Sequence, residues 1–185
     1  MLNSKKGSEN LSLIYIRLAT QQDILQMMAI VKDAQHLLAS QDIPQWQNGY
    51  PNEKVLLNDI EKKISYVLIV NQTIAGIATL LQEPDPNYQQ VVEGNWTNSK
   101  DPHYATIHRL AISSKFHGQH LAETFINHLV SVSNLLGFKQ LRIDTHDKNS
   151  RMKYLINKIG FKYSAIVYMH NNPNDFRNSY QLFLD

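Results

Sequence analysis

The chain has 185 residues, 43% of them hydrophobic, a formal net charge of +2 and no cysteine. That length fits one domain with a sizeable core, and the absence of thiols excludes a disulfide framework, thiolate zinc sites and cysteine nucleophiles and fits a reducing, cytoplasmic setting. The small charge argues against a nucleic-acid partner, no apolar run approaches the roughly eighteen residues of a membrane span, and the polar start, with Lys5 and Lys6 and no apolar stretch behind them, is not a secretory signal.

Residues 1–11 are expected to be a disordered lead and residues 12–185 a single domain. Residues 12–18 alternate as a strand. Thr20 then starts a helix, with Asp23 placed to close a capping box, and Ile24, Met27, Met28, Val31, Ala34, Leu37 and Leu38 form one broad face to about Ala39. A loop with Pro44, Trp46 and Gly49 leads to a second helix over 52–63. Two apolar strands, 66–70 and 74–81, are joined by Asn71-Gln72-Thr73, short enough for a hairpin.

Residues 83–102 hold three prolines and a glycine and read as a long loop of the functional or mobile kind. A strand over 104–112 and a helix over 118–136 follow, the helix ended by Gly137. A strand over 139–145, a helix over 150–159 closed by Gly160, and strands over 161–170 and 179–184 complete the chain. The order is that of an α/β protein with a mixed sheet.

Between a strand and an amphipathic helix stands Lys115-Phe116-His117-Gly118-Gln119-His120-Leu121-Ala122. A helix start exposes unpaired N–H groups and the positive end of the macrodipole, a place for anions. Gly118 would admit a phosphate close to the backbone, and Lys115, His117 and His120 would add charge. The segment reads equally as a glycine loop breaker beside a solvated lysine.

Around it runs an ordered series: Ile107-His108-Arg109-Leu110-Ala111-Ile112, the loop, the Gly137-capped helix, Arg142-Ile143-Asp144-Thr145, Asn149-Ser150-Arg151-Met152 and Lys158-Ile159-Gly160-Phe161. This series resembles the GNAT superfamily, the acyl-CoA-dependent N-acyltransferases, over about residues 14–184. The resemblance implies a mixed, mostly antiparallel, twisted α/β sheet flanked by helices. It also implies transfer of an acetyl group from acetyl-CoA to a primary amine in a ternary complex, without a metal. A small-molecule or peptide amine would be the acceptor, and a homodimer is an assembly common in the family. The alternative is a non-catalytic acyl-CoA-binding sensor or interaction module on the same fold.

By that resemblance, Leu110, Ala111 and Ile112 would pair with the pantetheine arm as an added strand does. The N–H groups from Phe116 to Ala122 would hold the pyrophosphate, Asn149 and Met152 would lie against the cofactor, and the thioester would sit where the strands ending near Ile112 and Asp144 splay apart. The chain departs from the family at Lys115, where glutamine or arginine is usual, at His120, where glycine or alanine is usual, and at Ile156, where many members carry a tyrosine acid. Tyr154 is about 200° round the helix from Ile156 and does not simply replace it.

The 104–112 strand has no carboxylate where the family often places a glutamate. Its base candidate is His108, an imidazole with a suitable intrinsic pKa, sharing a face with Thr106, Leu110 and Ile112 by alternation; the competing reading is a histidine satisfied by a neighbouring strand. Asp144 and His146, on one face with Arg142, form a relay or amine-binding pair, or pair across strands. Trp46 walls the acceptor site or anchors its loop. Glu83 attracts a cationic amine or is a solvated charge. Tyr104 and Tyr168 are candidate late proton donors, and Tyr104 is counted with the acceptor site.

Overall fold

The computed structural model describes residues 13–97 and 103–184. The expected N-terminal lead lies outside them, as does the end of the long loop. The strands are β1 (Ile14–Leu18), β2 (Ser65–Val70), β3 (Thr73–Leu81), β4 (Val91–Gly94), β5 (Ala105–Ile112), β6 (Gln140–Thr145), β7 (Lys162–Tyr168) and β8 (Phe176–Phe183). The helices are α1 (Ile24–Ala39), α2 (Glu53–Glu61), α3 (Leu121–Leu135) and α4 (Ser150–Ile159). One eight-stranded sheet has the order β1-β2-β3-β5-β6-β8-β7-β4. Its pairs are antiparallel except β5–β6, which is parallel. The expected mixed, mostly antiparallel α/β architecture is what forms.

Local chemistry sets the boundaries. The Thr20 N–H donates to the Asp23 carboxylate at 2.7 Å, and Asn52 Oδ1 accepts from Val55 N–H at 3.1 Å at the start of α2. Asn71 and Gln72 both have positive φ, as a two-residue type I′ hairpin requires. Helices cover both faces of the sheet. On one side Met27, Ile30 and Val31 of α1 and Leu56 and Ile60 of α2 pack on Val67, Ile69, Ile77 and Ala111. On the other, Leu121, Phe125 and Leu129 of α3 and Ile156 of α4 pack on Leu68, Leu80, Ile107 and Ile143.

Three features differ from the sequence reading. The long loop contains β4, an edge strand on β7, whose identity comes from that pairing since most of its side chains are exposed and show no alternation. The helix expected from Gly118 begins at Leu121, because Gly118 and His120 both take positive φ. The third is a bulge in β5. Ile77 pairs with Ala111 but Thr79 with His108, so two steps on β3 face three on β5, and Arg109 takes up the extra residue at φ +53.

That bulge corrects the predicted face of His108. His108 stands opposite Thr79, whose hydroxyl donates to Asp59 of α2 at 2.8 Å. Leu110 and Ile112 pack on the α3 side instead, and Ala111 takes the α1–α2 side. A left-handed arginine costs about 1–2 kcal/mol. Its side chain offsets this: Nε and Nη2 donate to the two Asp59 oxygens at 2.8 and 3.0 Å, and Nη1 donates to Tyr50 OH at 2.6 Å. Past the bulge β5 leaves β6, and their parallel pairing runs only through Ala105–Leu141, Thr106–Arg142 and Ile107–Ile143. Among the described residues no helix is long and apolar enough to cross a membrane.

Candidate active site

The diverging ends of β5 and β6 border a cavity of about 730 Å³. It takes in the start of α3, the end of β5 that β6 does not pair and the carboxylate–histidine cluster on the α1–α2 side of β5 and β6.

His108 is the centre of that cluster. Because Thr106 pairs with Arg142 in parallel register, His108 falls beside Asp144 on the same face. Its Nε2 lies 2.5 Å from Asp85 Oδ2 and its Nδ1 lies 3.6 Å from Asp144 Oδ2. Burial alone would raise the Asp85 pKa, but its contact with His108 and the Asn87 donors win and hold it below the usual carboxylate range. Asp85 is therefore the ionised acceptor, and an Nε2–H of His108 is the donor that suits it. Nδ1 is too far from Asp144 for a hydrogen bond, so in the neutral ring it would carry the lone pair.

The outer groups fix this arrangement. Asp85 sits between Pro84 and Pro86, and its Oδ1 accepts the backbone N–H of Asn87 at 2.8 Å, a self-closed Asx turn. Its own N–H donates to Tyr104 OH at 3.1 Å. Asp144 accepts the Tyr88 hydroxyl at 2.7 Å and lies 3.8 Å from Arg177 Nε. Arg177 Nη1 also bonds Asp175. Burial, then the Asp144 and Asp85 charges, push the Tyr88 pKa well above its ordinary value, so it stays a phenol and donates. Arg142 stacks its guanidinium 3.6 Å from the Tyr104 ring centroid and 4.1 Å from that of Trp96.

Several sequence candidates lie elsewhere. His146 is one residue beyond the end of β6, so strand alternation no longer governs it. Its Nδ1 accepts the Lys148 N–H at 3.1 Å, its ring stacks near Phe176, and it does not line the cavity. Burial, then the Arg177 charge, lower its pKa. Glu83 is exposed and borders a small separate cavity beside Lys62; Asp85, two residues on, is the carboxylate the loop delivers. Tyr104 is buried behind Asp85 rather than lining the cavity, and burial raises its pKa. Tyr168 does not line it either. Trp46 does, while packing against the α1–α2 core.

The cofactor candidates are mostly brought together. Leu110, Ala111, Ile112, Phe116, His117, Gly118, His120, Leu121, Ala122, Asn149 and Met152 all line the cavity; exposed Lys115 and Gln119 do not. Gly118 has φ +81, and a Cβ there would meet nothing within 4 Å, so the space over it is open to a ligand. Asn149 spends its Oδ1 on the Met152 N–H at 3.1 Å, capping α4, which leaves its NH₂ as a donor. Arg151 adds a cation to the lining, whereas Lys158 is paired with Glu123 at 2.6 Å. Asp85, Tyr88 and Arg177 were not singled out from the sequence. The pointer to Asp85 is the Pro-Asp-Pro-Asn run, which fixes a carboxylate in a rigid turn.

Residues 31–161 match the family model described as Acetyltransferase (GNAT) family. A GNAT-family acetyltransferase structure from Streptococcus agalactiae 2603 is 31% identical, covers 93% of this chain and 96% of its own, and superposes with a TM-score of 0.85. One from Listeria monocytogenes 4b F2365 is 20% identical, covering 92% and 95%, with TM-score 0.71. An N-acetyltransferase from Staphylococcus aureus Mu50 is 17% identical, covering 94% and 99%, with TM-score 0.63. No curated protein matches significantly. Its fold, its strand splay and its match over residues 31–161 make this chain a member of the GNAT acetyltransferase family.

Proposed function

We propose that the protein is an acetyl-CoA-dependent N-acetyltransferase that acetylates a primary amine by direct attack in a ternary complex. The observation that carries this reading is His108 fixed by Asp85 through one ring nitrogen, with the other 3.6 Å from Asp144 and not hydrogen-bonded to it, at the splay of β5 and β6. Acetyl-CoA, when bound, supplies an activated acetyl thioester. The residues present fit it. The open backbone at Gly118 and the first N–H groups of α3 suit a pyrophosphate. The stretch from Leu110 to Ile112, freed from β6, offers backbone groups to the pantetheine amides.

His108 Nδ1 would take the amine proton as the nitrogen bonds to the acyl carbon. Asp85 holds the ring in that tautomer and stabilises the imidazolium. Asp144, with Tyr88 and Arg177 behind it, faces the same space and would orient the incoming ammonium before it loses its first proton to solvent. Asp85 and Asp144 are the two charged groups in direct reach of His108, and both are anionic, an arrangement that favours a cationic acceptor. Positioning in the cavity would supply much of the rate. Trp46 and Tyr50 would wall the acceptor.

The test is calorimetry with acetyl-CoA, then thiol release over a panel of amino acids, polyamines, aminoglycosides and peptide N-termini. Binding in the micromolar range and turnover that His108→Ala abolishes are expected; no heat and no thermal shift at millimolar acetyl-CoA sinks the reading. One observation favours a non-catalytic acyl-CoA binder: Ile156 is fully buried in the core, so α4 offers no tyrosine hydroxyl at that position. Tight binding without transfer to any amine would select that alternative.

A further inference from the structure

Among the described residues three buried side-chain hydroxyls have no hydrogen-bond partner: Thr106, Thr145 and Ser179. Only Thr145 of the three borders the cavity. It is 1% exposed and is the last residue of β6. It lies two residues past Ile143, the last β6 residue paired with β5, and by alternation shares the α3–α4 face with Ile143. It thus stands at the point of the wedge, next in sequence to Asp144 but on the opposite side of the sheet. A buried hydroxyl without a partner is destabilising, and such a group in a folded protein calls for a reason.

We propose that Thr145 is a catalytic residue of the acyl transfer, its hydroxyl donating a hydrogen bond to the donor's sulfur as the thiolate leaves. The inference rests on the acetyl-CoA reading above. In the step concerned the amine nitrogen bonds to the acyl carbon and the C–S bond breaks with its electron pair on sulfur. The amine proton passes to His108 Nδ1 and returns to the thiolate through solvent. Thr145 keeps its own proton throughout. A hydroxyl is too weak an acid to protonate a thiolate outright, but a fixed donor aimed at developing charge in a water-poor site lowers the barrier. With Ile156 in the core, Thr145 is the hydroxyl that β6 itself contributes to a lining that also holds Tyr50 and Tyr154.

Thr145→Val keeps the shape and removes the hydroxyl, so structural and catalytic roles move in opposite directions. The proposal expects Tm equal to wild type or about 2–4 °C higher, because an unsatisfied group is gone. It expects acetyl-CoA affinity by calorimetry within about twofold, and kcat with the best amine of the panel at least about tenfold lower, because the contact strengthens only as sulfur gains charge. Thr145→Ser should keep most of the rate, and Thr106→Val should leave the rate unchanged.

Unchanged kcat in Thr145→Val overturns the proposal, since the hydroxyl is then only a buried cost or is served by water. A clear fall in Tm overturns it too, by revealing an internal partner, and so does weakened acetyl-CoA binding at constant kcat. Should Thr145→Val not fold, full activity in Thr145→Ala overturns the proposal in its place. A wild type that binds no acetyl-CoA overturns the donor reading and this inference together. A wild type that turns over beside an unimpaired Thr145→Val overturns this inference alone.

Discussion

Asp85→Asn changes one atom at the centre of the cluster. The substituted amide can keep its Oδ1 for the Asn87 N–H, accepted at 2.8 Å in the native turn, so the Pro-Asp-Pro-Asn geometry survives. The oxygen facing His108 Nε2 at 2.5 Å becomes an NH₂ donor. Nε2 must then accept, the ring proton moves to Nδ1, and the nitrogen facing the cavity loses its lone pair. Losing a hydrogen bond to a charged group costs about 1.5–3 kcal/mol, which is roughly 10- to 150-fold in rate. Losing the base altogether costs about 10²–10⁴-fold. The expected fall in kcat is therefore at least about 100-fold, with acetyl-CoA affinity unchanged. Stopped-time thiol release on wild type, Asp85→Asn, His108→Ala and the double variant measures it. If Asp85 acts through His108, the double variant should be no slower than His108→Ala alone. Additive losses, or Asp85→Asn retaining more than half of the wild-type rate, would refute the assignment of Nδ1 as the base.

Gly118→Glu should abolish acetyl-CoA binding by calorimetry, since it puts a negative charge into open space above the helix start, while the positive φ costs the fold about 1–2 kcal/mol. Retained affinity would move the phosphate site elsewhere. Asp59→Asn leaves Arg109 buried without its counter-charge and should cost about 3–5 kcal/mol in urea denaturation; a loss below about 1 kcal/mol would show that the bulge stands without the clamp. The Arg17 guanidinium, against the cost of burial, holds the Asp23 pKa down to about 2 from 3.8. Its folded pKa being depressed, the pair stabilises above about pH 4 and loses that contribution as pH falls through 2. Arg17 is half-exposed, so Arg17→Ala should lose only about 1 kcal/mol at pH 7, and the difference from wild type should be reduced at pH 2 and gone by about pH 1.

Periodicity made the elements legible wherever burial was one-sided: the broad face of α1, the core-facing Leu121, Phe125 and Leu129 of α3 and the glycines closing α3 and α4 all sit where expected. What escaped has tertiary causes. β4 is a strand because β7 pairs with it, and its short polar stretch has no alternation of its own. The face of His108 depends on one extra residue at Arg109, which an alternation count cannot see because nothing local forces an arginine into the left-handed region; Asp59 and Tyr50, distant in sequence, hold it there. The open turn at Gly118 was legible because a glycine before an amphipathic helix has local meaning. Asp85 was missed because a carboxylate in a loop meets His108 only when the loop folds back on β5, and nearby Glu83 carried the same local signal.

The sheet is two four-stranded plates, β1-β2-β3-β5 and β6-β8-β7-β4, sewn together by a seam of three residue pairs. So short a seam would act as a hinge line, and anything lodged between the free ends would work as a keystone, turning rocking of the plates into compression. Hydrogen exchange should therefore slow on both sides of the seam together when the wedge is filled, even at amides in β3 and β8 that no ligand reaches.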